Sequence, residues 1–529
     1  MLPKMKYASG IRKYQSVQFG GLNRSRPDQD GRVWEMRNLS SDQYPLISAR
    51  KPRYTTERFR LEEPYGIYGR NGLYYVDCET FCADGIGRCR VSRAPKTFAA
   101  MGTKIIILPD KLIYDTADGN AYGMEAEYTA QCTIQDGIIW GEDAEANTIL
   151  SREGDWAEHG FKAGDAVTIT GAAKHPENNQ TIIVREVDGT HLRFYENSFT
   201  IDEGGDPERL TVKRAVPDLD FVFESENRLW GCKGSTIYCS KLGDPTNWNV
   251  FDGLSTDSWT AEVGSGGSFT GACSYLGYPM FFKEEQIYKV YGEKVSAYQV
   301  MNTASMGVER GSGKSLAVAG ETLFYLSRAG FVAYTGGVPK NIHWPFGEQR
   351  FKNAVAGSDG TKYYVSAQTE DGAYELWVYD TRYGAWHRED ETQAIGFAWN
   401  EELYCLSSDG QIRINGDARQ IPEGATQEAA VESMVEFGDF TGNGNPNMKG
   451  TGKLQIRVEL EEGTELRVLM KFDGGEWMRV AELKNNTGKV SKYLPIIPRR
   501  SDHYRIRFEA KGEWTLCSLV REEYTGSER

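Results

Sequence analysis

Met280-Phe281-Phe282-Lys283 followed by Gln286-Ile287-Tyr288-Lys289-Val290 reads as a short apolar strand, a polar turn and a second short strand. The pattern returns as Leu323-Phe324-Tyr325-Leu326 then Gly330-Phe331-Val332-Ala333-Tyr334. It returns again as Lys362-Tyr363-Tyr364-Val365 then Tyr374-Glu375-Leu376-Trp377-Val378-Tyr379, and as Leu403-Tyr404-Cys405-Leu406 then Gln411-Ile412-Arg413-Ile414. The starts, at 280, 323, 362 and 403, lie 43, 39 and 41 residues apart. Aromatic and β-branched residues favour strands, and the polar clusters between them favour turns. A period near forty, one four-stranded unit per repeat, predicts a β-propeller. A single unit cannot bury both of its faces, so the units must close into a ring.

Further hairpins precede this run. Gly72-Leu73-Tyr74-Tyr75-Val76 opens one, and Lys104-Ile105-Ile106-Ile107-Leu108 with Leu112-Ile113-Tyr114 makes another. From Glu125 to Pro217 the rhythm breaks. Phe161 to Gly171 is a turn leading into an alternating strand, Thr181-Ile182-Ile183-Val184 is a second strand, and His191 to Tyr195 follows the Asp188-Gly189 turn. Alternation on this scale predicts a small β-barrel inserted into the propeller. The rhythm resumes at Phe221-Val222-Phe223 and lasts to Ile414. After Gly424 the alternating runs Leu454 to Leu460, Glu465 to Met470 and Tyr504 to Phe508 predict an antiparallel sandwich, whose early strands complete the last blade. The fold class is therefore all-β: a propeller of six to seven blades, an inserted barrel and a C-terminal β-sandwich. The expected domains are a docking arm at 1–60, propeller at 61–124 and 218–424, the barrel at 125–217 and the sandwich at 425–529. The nearest approach to a helical pattern is the short stretch from Thr426 to Phe437.

Composition agrees with many turns and strands: 58 Gly and 12% aromatic residues in 529. No apolar run reaches the length of a membrane span, and Met1-Leu2-Pro3-Lys4-Met5-Lys6 lacks the apolar core of a signal peptide. A soluble chain made in the cytosol is expected. Net charge is −14, unevenly spread: residues 1–60 carry 13 Lys/Arg against 5 Asp/Glu, the remainder 48 against 70. The acidic balance argues against a general nucleic-acid grip, which needs a basic face. The basic arm has the breakers Gly20-Gly21, Arg26-Pro27-Asp28 and Asp30-Gly31, and its cations alternate with Tyr14, Phe19, Trp34, Leu39 and Ile47. That mixture favours docking on an acidic neighbour.

No catalytic, cofactor or metal constellation stands above background. Gly311-Ser312-Gly313-Lys314-Ser315 ends like a phosphate loop, but Val308 occupies the position of the first Gly and a strand follows; it reads as a turn entering a blade. Ser407-Ser408-Asp409-Gly410 resembles a sialidase aspartate box without the Gly-x-x-Trp that should follow, and reads as a hairpin turn. Carboxylates are too abundant for any one pair to be singled out as glycosidic. Cys78, Cys82 and Cys89 cluster without a fourth ligand, no Gly-x-Ser-x-Gly elbow occurs, and the six His lack metal spacing. Asp244-Pro245-Thr246-Asn247-Trp248 is a turn, with Asp244 bonding the backbone ahead and Trp248 packing on a blade.

The run Arg228-Leu229-Trp230 through Ile237-Tyr238-Cys239-Ser240-Lys241-Leu242-Gly243-Asp244-Pro245-Thr246-Asn247-Trp248 resembles one common in tail nozzle proteins of short-tailed phages, also called packaged-DNA stabilisation or tail-hub proteins. Met280 to Gly292, Met306-Gly307 and Leu323 to Phe331 are similar to the next blades of that family. Phe19-Gly20-Gly21-Leu22-Asn23, Asn38 to Arg50, Arg499 to Phe508 and Gly526-Ser527 also resemble phage structural proteins, and Phe161 to Gly171 resembles small barrels of tail components. The motifs build turns and cores and carry no chemistry.

The resemblance implies a structural virion protein of the phage tail, assembled in the host cytoplasm as a homohexamer below the portal and adaptor rings. It would retain the packaged genome and pass it during ejection, with a plug, needle or fibre protein at its tip. Double-stranded DNA would cross the lumen without sequence-specific binding. Six copies at −14 each would give that lumen a repulsive wall along which DNA slides. The arm would reach a neighbouring subunit or the adaptor, with Arg37, Arg50, Lys51 and Arg53 as expected partner contacts; channel-lining residues are not assigned. A receptor-binding or glycan-cleaving tail propeller is the competing class, and a cellular propeller scaffold the third.

Overall fold

In the computed structural model, the second strand of each propeller sheet is the most deeply buried. Tyr278–Lys283, Thr322–Ser327, Lys362–Thr369 and Glu402–Ser407 are buried at nearly every position. Packed on both faces, such a strand reads as a continuous apolar run rather than an alternating one. The structure describes residues 11–25, 31–137, 145–195, 199–201, 206–441, 448–484, 487–497 and 499–525. Met1 to Lys6, the breakers at Arg26-Pro27-Asp28 and Asp30, and Gly526-Ser527 lie outside them.

The chain forms two units, one of residues 1–77 and 308–529, the other of residues 78–307. In the first unit three sheets follow the propeller pattern, each an antiparallel meander. They comprise Ala317–Ala319, Thr322–Ser327, Gly330–Tyr334 and Lys340–Asn341; then Phe351–Ser358, Lys362–Thr369, Tyr374–Asp380 and Ala385–Arg388; then Ala394–Asn400, Glu402–Ser407 and Gln411–Ile414. The last sheet is completed by Tyr54–Arg60, which pairs with Gln411–Ile414, so an N-terminal strand closes the final blade. Thr426–Gln427 adds only a short edge to that strand. The hairpin of Pro64–Gly69 and Leu73–Asp77 belongs to the same unit.

The second unit opens with the hairpin of Thr80–Ala83 and Ile86–Arg90. Its four-stranded sheets start at Thr97–Met101, Phe221–Ser225 and Gly271–Tyr275. Against the six or seven blades expected, six blade sheets among the described residues lie wholly within one unit or the other, besides these two hairpins. Between the sheet of residues 97–123 and the sheet of residues 221–262 lies a closed six-stranded barrel running from Ala126–Gly137 to Glu208–Arg214. Trp156, Phe161, Val167, Ile169, Val184, Leu192, Phe194 and Val212 fill its interior.

Tight turns join the first and second strands of the blades. Glu226 and Asn227 have φ of 53° and 57°, and Leu276 and Gly277 have 52° and 74°. Two consecutive positive φ angles make a hairpin turn whose twist matches the strands.

Two sheets form the sandwich. Lys449–Leu460 lies between Gly488–Leu494 and Trp514–Thr525 in one; Tyr504–Lys511 lies between Glu432–Phe437 and Glu465–Phe472 in the other, with Met478–Leu483 at its edge. The helix-like stretch from Thr426 to Phe437 is thus strand where it is regular, since Val435 and Phe437 alternate into the core.

The arm is where expectation and structure differ most. Its described strands are built into the same chain instead of projecting from it. Ile11–Ser16 and Ile47–Ala49 pair with Trp514–Thr525, and Val33–Arg37 pairs with Glu432–Phe437. Phe19, Leu22, Val33, Met36, Leu39 and Ile47 enter one apolar core with Trp377 and Trp386 of the blades and Phe437, Phe440 and Phe508 of the sandwich. The apolar residues interleaved with the cations are the reason: burying several of them outweighs a free, solvated arm.

Candidate functional site

The four expected contact residues divide into three situations. Arg50 and Arg53 are about 5% exposed and are engaged within the chain. Arg53 donates to Asp390 Oδ2 at 2.8 Å and to the Glu389 carboxylate, and its backbone N–H donates to Glu428 Oε2 at 3.1 Å. Arg50 grips Glu428 with two bonds of 2.7 and 3.0 Å and donates to Asn38 Oδ1 at 2.8 Å. The planar fork suits this two-pronged grip. Burial pushes the Asp390 carboxyl up, but the Arg53 guanidinium and Thr392 outweigh it and hold it down at about 2. Lys51 is exposed beside this cluster. Arg37, on Val33–Arg37, makes no side-chain hydrogen bond or ion pair among the described residues, and its Nε is buried without an acceptor. Arg50 and Arg53 therefore fasten the arm to the end of a blade.

The Asp244 to Trp248 turn does far more than turn the chain. Asp244 Oδ1 accepts from the Thr246 N–H at 2.9 Å and hydroxyl at 2.6 Å, the local bond expected. Asn247 reaches into the barrel. Its Oδ1 accepts from the Ala166 N–H at 3.2 Å and its Nδ2 donates to Asp165 Oδ1 at 3.0 Å. Asp165, fully buried, pairs through its other oxygen with Arg214 on the last barrel strand. Lys162 of the barrel reaches back to Asp244 at 2.9 Å. Burial pushes the Asp244 carboxyl up, but its bonds from Thr246 and Lys162 prevail and hold it at about 2.

The two ends of the barrel are pinned as well. Lys111 donates to Glu125 Oε1 at 2.9 Å and to the Val216 carbonyl at 2.8 Å, spanning entry and exit. Trp248 packs with Met124, Val216 and Leu229 in the adjoining core. A buried charge needs a partner and a buried amide needs all of its bonds, so this cluster tolerates one geometry. Sequence reading found the turn but not Asp165, Arg214 or Lys162, which lie 30 to 86 residues away and carry no local signal.

Within each unit, the first strands of successive sheets pack on one another. A Cβ at Gly69 would lie 2.3 Å from the Trp399 carbonyl oxygen, and one at Gly357 would lie 2.3 Å from Phe397 Cβ. Small residues let these strands approach, and only Lys352 and Glu224 among them are charged. The other candidates resolve into structure. Ser312 and Ser315 accept from the Ala354 and Leu326 N–H groups, so the phosphate-loop look-alike is a turn entering a blade. Asp409 takes Arg413 and Ser407 within its hairpin turn. Cys78, Cys82 and Cys89 are half-buried, and the described residues hold no cluster suited to a metal.

No family model matches the chain, and no curated protein matches it. Among solved structures, Raptor of Chaetomium thermophilum aligns with a TM-score of 0.31 and 12% identity, over 70% of this chain and 30% of that one. The exo-β-1,3-galactanase of Phanerochaete chrysosporium aligns at 0.21 and 9%, over 57% and 94%. Trypanosoma rangeli sialidase aligns at 0.21 and 10%, over 97% and 96%. Scores this low carry no functional inference. No helix among the described residues is long and apolar enough to cross a membrane.

Proposed function

We propose that this chain is a structural subunit of a short-tailed phage tail: a nozzle or hub protein that assembles as a homohexamer in the virion. The observation that carries the proposal is the use made of the residues that resemble that family. Asp244 and Asn247 immobilise an inserted barrel against a blade through Asp165, Arg214 and Lys162, and Trp248 packs in the adjoining core. These are the attributes of a rigid building part, and a part of this kind functions through assembly.

On this proposal the conduit runs between copies around a common axis. The formal charge of −14 per copy, with the basic arm folded into its own chain, would leave an acidic wall past which phosphates slide. Portal and adaptor rings above, and a plug, needle or fibre protein below, are the partners on this proposal. The purified chain is expected to form six-membered rings in electron micrographs. A monomer at all concentrations, with turnover of a glycan, would support the competing class instead.

A further inference from the structure

A groove of about 590 Å³ lies over the outer face of one sandwich sheet, within the first unit. Register places its side chains on a single face. Arg37 lies opposite Met434, Met434 opposite Glu509, and Glu509 opposite Arg467; in the next row Glu432 and Glu465 flank Lys511. Glu35 and Arg507 extend the floor, and Arg388 and Glu391 form a wall. The lining holds five cations and five carboxylates, with only Met434 and Ala510 as apolar side chains.

Most of these charges answer one another: Arg388 with Glu375 and Glu391, Arg467 with Glu482, Arg507 with Glu436. Four do not. Arg37, Lys511, Glu35 and Glu432 have no side-chain hydrogen bond or ion pair among the described residues. The buried Nε of Arg37 and that of Arg388 both lack an acceptor.

The chemistry of these open groups specifies the ligand. A guanidinium with a free fork takes a carboxylate or phosphate. Carboxylates accept only, so Glu35 and Glu432 call for donors on the same ligand. Inorganic phosphate brings only one or two donors, with up to two negative charges, to a lining with five carboxylates. A protein partner would want an aromatic or aliphatic anchor, and the groove offers none. Its volume is that of a small-molecule site. We infer that the groove binds an acidic saccharide, its carboxylate on Arg37 and its hydroxyls donating to Glu35 and Glu432. This inference is independent of the conduit proposal: a ring-forming chain or a monomer could equally carry the site.

The test is calorimetric titration of the intact protein with tri-galacturonate and with a glucuronate-containing trisaccharide. The controls are the methyl-esterified tri-galacturonate, tri-glutamate peptide and inorganic phosphate. At least one acidic trisaccharide is expected to bind, and its neutral ester to bind at least about tenfold more weakly, the worth of one charged hydrogen-bond pair. Arg37→Ala is expected to weaken binding to a similar degree. Should that variant melt early, Arg37→Lys, which keeps the charge but loses the fork, and Glu432→Gln serve in its place, each weakening the saccharide. Binding of neither acidic trisaccharide, equal binding of ester and acid, tighter binding of tri-glutamate or phosphate, or unchanged affinity in the variants would overturn the inference.

Discussion

Asn247 shows how much a single amide can organise. It satisfies a barrel carboxylate, a barrel N–H and the turn's own Asp244 at once. Truncation to Ala would strand Asp165 Oδ1 and the Ala166 N–H in a buried place, at a cost of about 1–3 kcal/mol for each group. Asn247→Ala is therefore expected to lower the melting temperature and to make the barrel the first segment cut in limited proteolysis, while Asn249→Ala nearby does neither. Equal melting of both variants would mean that the barrel is held by its chain ends alone.

His387 offers a different residue-scale handle. It is 4% exposed, its Nδ1 has no partner, and burial, reinforced by Lys362, lowers its pKa to about 4. Its folded value lies below the ordinary 6.5, so the unfolded state takes up a proton first as pH falls. Stability is then full above about pH 6.5 and declines toward pH 4, by up to about 3 kcal/mol. Denaturant midpoints measured across that range are expected to fall, and to fall less in His387→Gln. A parallel decline in the variant would assign the loss to other groups.

Strands explain what could be read in the sequence and what could not. The second strand of each blade is enclosed on both sides, so Phe281, Tyr325, Val365 and Leu406 announce it locally and set the forty-residue rhythm. The barrel declared itself because it interrupted that rhythm. The arm did not, because its partners are remote: Ile11 pairs with Tyr524, and Met36 with Val435. Its cations looked surplus because the acids answering them, Glu389, Asp390 and Glu428, lie more than three hundred residues downstream. The open groove likewise depends on five strands from distant parts of the chain, and of its residues only Arg37 is an expected contact.

The arm's attachment can be tested at the same scale. Arg53→Ala would leave the buried Glu389 without its guanidinium and Asp390 with only Arg50 at 3.7 Å, a change that costs about 3–5 kcal/mol. Arg53→Ala is expected to expose the strand Tyr54–Arg60 to hydrogen exchange ahead of the sandwich. Exchange rising equally throughout the first unit would show that the strand is not separately anchored.

At the scale of the whole molecule, the chain begins and ends in the same unit, where strands from both ends share one sheet. Sequence alone supplied the all-β class, the propeller, the barrel and the sandwich, because each has its own period. It did not supply the use of the surface. An assembly reading gains from the arm being folded inward: a subunit that secures its own N-terminal strands presents a fixed face to its neighbours. It also relocates the expected contacts, since Arg50 and Arg53 are already engaged.

The most direct measurement is electron microscopy of the purified full chain at micromolar concentration, paired with native mass measurement. Six-membered rings with a mass near six times 59.4 kDa are the expected result. A population that stays monomeric across concentration and salt, with no ring in any class, would contradict assembly as a homohexamer.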